Sequence, residues 1–171
     1  MCALLDIIAA LEEDGIRKVV LISGHGGNPD TMRAVLREHF DTTDPARRAF
    51  VCLSEGLSSP EAIAAIEHPS DHGGESETSR MLYLRPDLVH AEAFQEQPFG
   101  QPIIESAARG RIYYVRPWHK HVPLSAGGGQ RKSTPEKGRN LIESAAETLA
   151  NLLVELTQAP WNPDFPYPPG S

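Results

Sequence analysis

Cysteine is nearly absent from this chain: Cys2 and Cys52 are the two thiols in 171 residues. Two widely separated cysteines build neither a disulfide framework nor a thiolate metal cage, and they fit a reducing cytoplasm. Long apolar runs are missing as well. None approaches the ~20 residues needed to cross a bilayer, and Met1 leads into an amphipathic pattern rather than a charged leader, so neither membrane insertion nor secretion is expected. Basic clusters are also lacking. Lys and Arg total 16 against 23 Asp and Glu, for a formal net charge of -7. With no basic stripe to neutralise phosphates, nucleic acid is not an expected partner.

What is present reads as a folded domain. Hydrophobic residues make up 40% and charged residues 23%, ordinary values for a chain that buries a core. The length suits one domain, expected over residues 1–158. Residues 159–171 hold the proline-rich WNPDFPYPPGS, expected to be loose or draped over the surface.

Periodicity sketches the elements. Leu4, Ile7, Ile8 and Leu11 recur at helical spacing with Asp14 and Gly15 as a stop. No capping residue precedes them, so the chain is expected to begin inside a fold. KVVLIS (18–23) is a β-branched run of the kind found in buried parallel strands. Asn28 or Asp30 can cap a helix to about Phe40, with Met32, Val35, Leu36 and His39 or Phe40 facing inward. RAFVCLS (48–54) reads as a second strand, and Ser59 with Pro60 opens a short helix over 58–66. A helix is predicted from about Glu75 to Leu84, and RIYYV (111–115) reads as a further strand. Ser133 or Thr134, Pro135 and Glu136 begin a last helix reaching about Leu156. Strand alternating with helix predicts an α/β fold, a layered α/β/α domain with a mainly parallel sheet.

His25 lies two residues beyond the first strand, where open α/β sheets gather ligands. Gly24, Gly26 and Gly27 remove bulk around it and permit dihedrals closed to other residues. Two chemistries fit SGHGGN. One is an anion cradle of backbone N–H groups, though the stretch lacks the lysine of a Walker loop and the GxGxxG spacing. The other is a metal site. Asp71, His72, Glu75 and Glu77 place four potential ligands or proton carriers within seven residues at the mouth of a helix. Carboxylates with imidazoles suit zinc, manganese or iron, which lower the pKa of bound water. Without a metal, Glu75 and Glu77 simply complement a helix dipole. In WHKH, His119 and His121 share a face if the stretch is extended, and read as solvent- or substrate-facing.

Three motifs in order, SGHGGN after a strand, HGGESETS leading into a helix and GGGQRKSTPEKG opening the last one, resemble the creatininase family of metal-dependent amidohydrolases. The likeness covers residues 3 to 150. It implies a creatininase-like fold, N-terminally incomplete, and hydrolysis of a C–N bond in a small cyclic or linear amide. It also implies divalent ions, Zn, Mn or Fe, two per complete site. By resemblance His25 binds one metal and Glu75 completes the shell of the other. His72 passes a proton to the leaving nitrogen, with Asp71 beside it. Glu77 and Asn28 orient these groups, and Trp118, Gly26 and Gly27 touch substrate. The family is commonly oligomeric, often hexameric, so a homo-oligomer is expected. Ser23, Gly73 and Gln130 depart from the usual asparagine, alanine and aspartate. A segment like STEQHGPHLP, which supplies further ligands in family members, has no counterpart in this sequence. The alternative expectation is therefore a catalytically incomplete remnant or non-catalytic subunit that associates with a partner chain.

Overall fold

The computed structural model describes residues 2–68, 72–94 and 99–170. They gather into two compact units, one comprising residues up to Leu57 together with Glu147 onward, the other Ser58–Ala146.

The first unit is built on a βαβ motif. Helix α1 (Cys2–Glu13) precedes strand β1 (Lys18–Ile22), helix α2 (Pro29–Thr42) and strand β2 (Phe50–Ser54). β1 and β2 pair in parallel, from Lys18 opposite Phe50 to Ile22 opposite Ser54. A parallel pair needs a crossover, and α2 provides it. Ile8, Val19, Val35 and Ala49 form the buried apolar core. Within it one carboxylate is buried with its partners: Glu12 Oε1 meets His39 Nε2 at 2.7 Å and accepts the Ala49 N–H at 2.6 Å. Those bonds offset the cost of removing the carboxylate from water. Lys18 Nζ donates to the carbonyls of Leu156 and Ala159 at the end of the last helix, where unpaired carbonyls favour a cation. The tail is draped rather than loose. Phe165 packs edge-on against Phe50 at 5.0 Å between centroids, and Trp161 stacks on Phe165 at 5.6 Å.

The second unit is helical among its described residues. It holds α3 (Pro60–Ala64), α4 (Glu75–Leu84), α5 (Glu105–Ala108), α6 (Trp118–His121) and the start of α7 (Pro135–Gln158). Caps read from the sequence are made: Ser59 Oγ accepts the Ala62 N–H at 3.2 Å, and Thr134 Oγ1 accepts the Lys137 N–H at 3.1 Å. Asn28 occupies the cap position of α2 but makes no side-chain cap bond. α4 and α7 approach closely at Gly138, where a Cβ would stand 1.9 Å from the Ser79 carbonyl oxygen. Ser79 Oγ accepts the Thr134 N–H at 3.2 Å beside this crossing.

Two local readings are corrected. Arg111–Val115 forms no strand, and Tyr113 and Val115 are 86% and 84% exposed. β-propensity cannot act without a neighbouring strand to pair with. WHKH is the helix α6 rather than an extended segment, so His119 and His121, two apart, do not share a face. The parallel pair with its helices is the α/β class that the alternation of elements predicted. No helix among the described residues is long and apolar enough to cross a membrane.

Candidate functional site

β1 delivers the chain into an open loop. His25 is exposed, and its backbone is held by Ser23 Oγ and the Asn28 N–H, which donate to the His25 carbonyl at 2.9 and 3.1 Å. Its Nδ1 accepts the Gly27 N–H at 3.0 Å. An accepting Nδ1 puts the proton of a neutral ring on Nε2, so the outward nitrogen is a donor in this arrangement. A Cβ at position 27 would lie 3.2 Å from Nδ1, while at 24 and 26 it would meet nothing within 4 Å. None of these three glycines has positive φ, which corrects the expectation of dihedrals closed to other residues. Gly26 and Gly27 are exposed.

The second motif is packed shut at Glu75. Glu75 begins α4 and is 0% exposed. Its Oε1 accepts from Lys137 Nζ at 2.5 Å and its Oε2 accepts the His68 N–H at 2.7 Å. Its own N–H donates to the Gly128 carbonyl at 3.0 Å, and its carbonyl accepts from Ser133 Oγ at 3.1 Å. Burial works to raise the Glu75 pKa, yet the Lys137 bond and the His68 and Glu67 N–H donors outweigh it and hold the carboxyl below the ordinary glutamate range. Lys137 Nζ also donates to Glu67 Oε1 at 2.9 Å and the Lys132 carbonyl at 3.1 Å. Its bonds to Glu75 and Glu67 raise its pKa despite burial.

Glu77 turns back on the same loop, its Oε2 accepting the Gly73 N–H at 2.5 Å, while Thr78 Oγ1 donates to the Gly73 carbonyl at 3.2 Å. Both bonds steady the peptide next to His72. The His72 carbonyl accepts the Gly127 N–H at 3.1 Å, and its ring lies 5.0 Å from that of Trp118, tilted by 52°. Asp71 lies outside the described residues. The glycine loop facing His72 is conformationally demanding: Ser125, Gly128 and Gly129 have φ of 66°, 82° and 75°. A Cβ on Gly129 would sit 2.4 Å from His68 Cβ, and one on Gly73 2.6 Å from Ala126 Cβ. Gln130 Oε1 is buried there without a hydrogen-bond partner among the described residues.

The structure thus brings His72 together with Trp118, and Glu77 with the loop that carries His72. His25 with Asn28 belongs to the first unit, and Glu75, His72, Glu77 and Trp118 to the second. Motif reading had assigned no role to Lys137 or His68. The signal for Lys137 was a lysine one turn into the helix of STPEKG; nothing in the sequence tied it to Glu75, 62 positions away. A divalent metal does not fit the described groups. Among the described residues no three His, Cys, Asp or Glu side chains form a group able to hold an ion, and both Glu75 oxygens are already bonded.

The profile of the creatininase family, described as creatinine amidohydrolase, matches residues 1–153, and the chain belongs to that family. A curated relative, the mycofactocin precursor peptide peptidase of Mycobacterium ulcerans (strain Agy99), is 21% identical over 146 residues, covering 84% of this chain and 50% of the relative. A crystal structure from Bacteroides fragilis NCTC 9343, assigned as a creatinine amidohydrolase, aligns with TM-score 0.75 and 29% identity over 94% of this chain and 62% of its own. A manganese creatininase aligns with TM-score 0.63 and 24% identity over 91% of this chain and 63% of its own, a likeness of fold. The chain spans about half the length of the curated relative it matches.

Proposed function

We propose that this chain carries the proton-donating part of a C–N amidohydrolase site acting on a small cyclic or linear amide. The observation that supports it is the His72 imidazole, half-buried and set beside the Trp118 ring at the mouth of α4. In such a hydrolysis the oxygen of water adds to the amide carbon. The C–N bond then breaks and its electron pair stays on nitrogen. An amide nitrogen leaves poorly without a proton, so a positioned imidazole supplies it, having taken one from the attacking water. The Gly127 bond to the His72 carbonyl and the Glu77 bond to Gly73 hold the donor's backbone. Asp71, by resemblance, orients the ring. Trp118 supplies a flat wall for the substrate, and Gly26 and Gly27, exposed in the first unit, are by resemblance substrate-touching positions.

Divalent ions, Zn, Mn or Fe, belong to the same proposal for a complete site, with His25 as one ligand once its ring gives up the Gly27 bond or changes tautomer; the described residues do not supply the rest. Self-association as a homo-oligomer in the cytoplasm is also proposed, and would cover the exposed Ile103, Tyr113 and Val115. The test is hydrolysis of a panel of small amides, creatinine and N-formyl compounds among them, by the wild-type protein and His72→Asn. A fall in kcat of roughly 10²–10⁴-fold is expected, and unchanged turnover in the variant would refute the role.

A second reading is that the chain is a non-catalytic member of the family that associates with a partner. The Lys137–Glu75 pair and the lack of a three-ligand group among the described residues favour it. Absence of turnover on every amide, with a folded protein and Mn²⁺ or Zn²⁺ present, would select this reading. Turnover by the 171-residue chain would end it.

A further inference from the structure

We propose that Lys137 is the cation of Glu75: its ammonium fills the place a metal ion would take at that carboxylate, and the pair locks the loops around the start of α4. This holds whether or not the chain hydrolyses amides. A fully buried carboxylate needs a compensating charge, and Glu75 has one at 2.5 Å. The ammonium's three N–H groups are matched by three acceptors, Glu75 Oε1, Glu67 Oε1 and the Lys132 carbonyl. The second Glu75 oxygen is taken by the His68 N–H. A metal at Glu75 would have to expel Lys137, stranding a side chain that is 18% exposed and leaving the Lys132 carbonyl without that donor.

The lock joins four parts of the second unit. Through its side chain Glu75 holds residues 67–68 and the first turn of α7, and through its backbone it holds Gly128 and Ser133. Lys137 reaches back to Lys132, closing the turn before α7. His68, fixed by this carboxylate, is the residue against which Gly129 packs.

The test compares wild type, Glu75→Gln, Lys137→Met and the double variant by thermal unfolding, and by ions bound per chain after dialysis against Mn²⁺ or Zn²⁺. Lys137→Met is expected to lower the Tm by roughly 6–20 °C, as for a buried pair broken on one side. The double variant, with no buried charge left unpaired, is expected to melt above Lys137→Met. Glu75→Gln is expected to bind as many ions as wild type. A Lys137→Met protein that melts like wild type overturns the proposal. So does a Glu75→Gln protein that folds but binds fewer ions. Should Glu75→Gln not fold, the Lys137→Met and double-variant temperatures decide; a double variant melting no higher than Lys137→Met counts against the lock.

Discussion

The two glycine-bearing motifs look alike as text and behave differently in space. SGHGGN, in the first unit, is an open turn: His25 is exposed, and Cβ atoms at 24 and 26 would touch nothing. HGGESETS, in the second, is packed at Gly73 and Glu75 against GGGQRKSTPEKG and the residue before it. Gly73 lies against Ala126, Gly129 against His68, and Glu75 against Lys137. The lesson is physical. A glycine can mark a place left open for a ligand or a place where two backbones must nearly touch, and the letter does not distinguish them.

The sharpest way to break this contrast is to add a methyl group at its tight and its open glycines. Gly138→Ala forces a Cβ to 1.9 Å from the Ser79 carbonyl, and Gly129→Ala combines a 2.4 Å clash with a φ of 75°. Each should destabilise the second unit by about 1–3 kcal/mol or more, seen as a lower midpoint in urea unfolding. Trp118 and Trp161 lie in different units, so Trp161→Phe and Trp118→Phe backgrounds report the second and the first unit separately.

Acid should act next, and on the second unit. Glu75 and Glu67 are held below their ordinary range, so the unfolded chain binds more protons than the folded one in acid. The stability they contribute is complete above the unfolded glutamate pKa and is lost as pH falls through the depressed folded values. Lys137 is raised, so its contribution is complete below the unfolded lysine pKa and is lost as pH rises through the folded one. Unfolding midpoints from Trp118 fluorescence should hold level near neutrality and fall in acid, and Lys137→Met should flatten that fall. An acid limb unchanged in Lys137→Met would contradict it.

The smallest effect belongs to the first loop. Gly24→Ala should change stability by no more than about 0.5 kcal/mol in either direction, because nothing stands where the methyl would go. A large loss there would show that SGHGGN is as tightly packed as its counterpart.

Much of the local structure was legible. β1 follows from a short β-branched run and β2 from the apolar run after a polar linker, and α2, α4 and α7 from spacing and stop signals. Ser59 and Thr134 cap as their hydroxyls suggested. RIYYV misled because its residue types favour strands, and a strand exists only beside another. WHKH misled because four residues are too few to display a period. The second site was half legible: Glu75 falls where its motif puts it, at the start of α4, but its burial and partners did not show. Those depend on residues 67–68, 128, 132–133 and 137 arriving together.

By itself the sequence determined what neighbours along the chain decide: where helices start, which faces are apolar, and that the motif order is that of the creatininase family. Tertiary structure alone decided that Glu75 faces an ammonium while His25 faces solvent. The reason is range. A cap or a periodic face is made within a turn or two of chain, whereas pairing a carboxylate with a lysine 62 residues on requires the intervening loops to fold first.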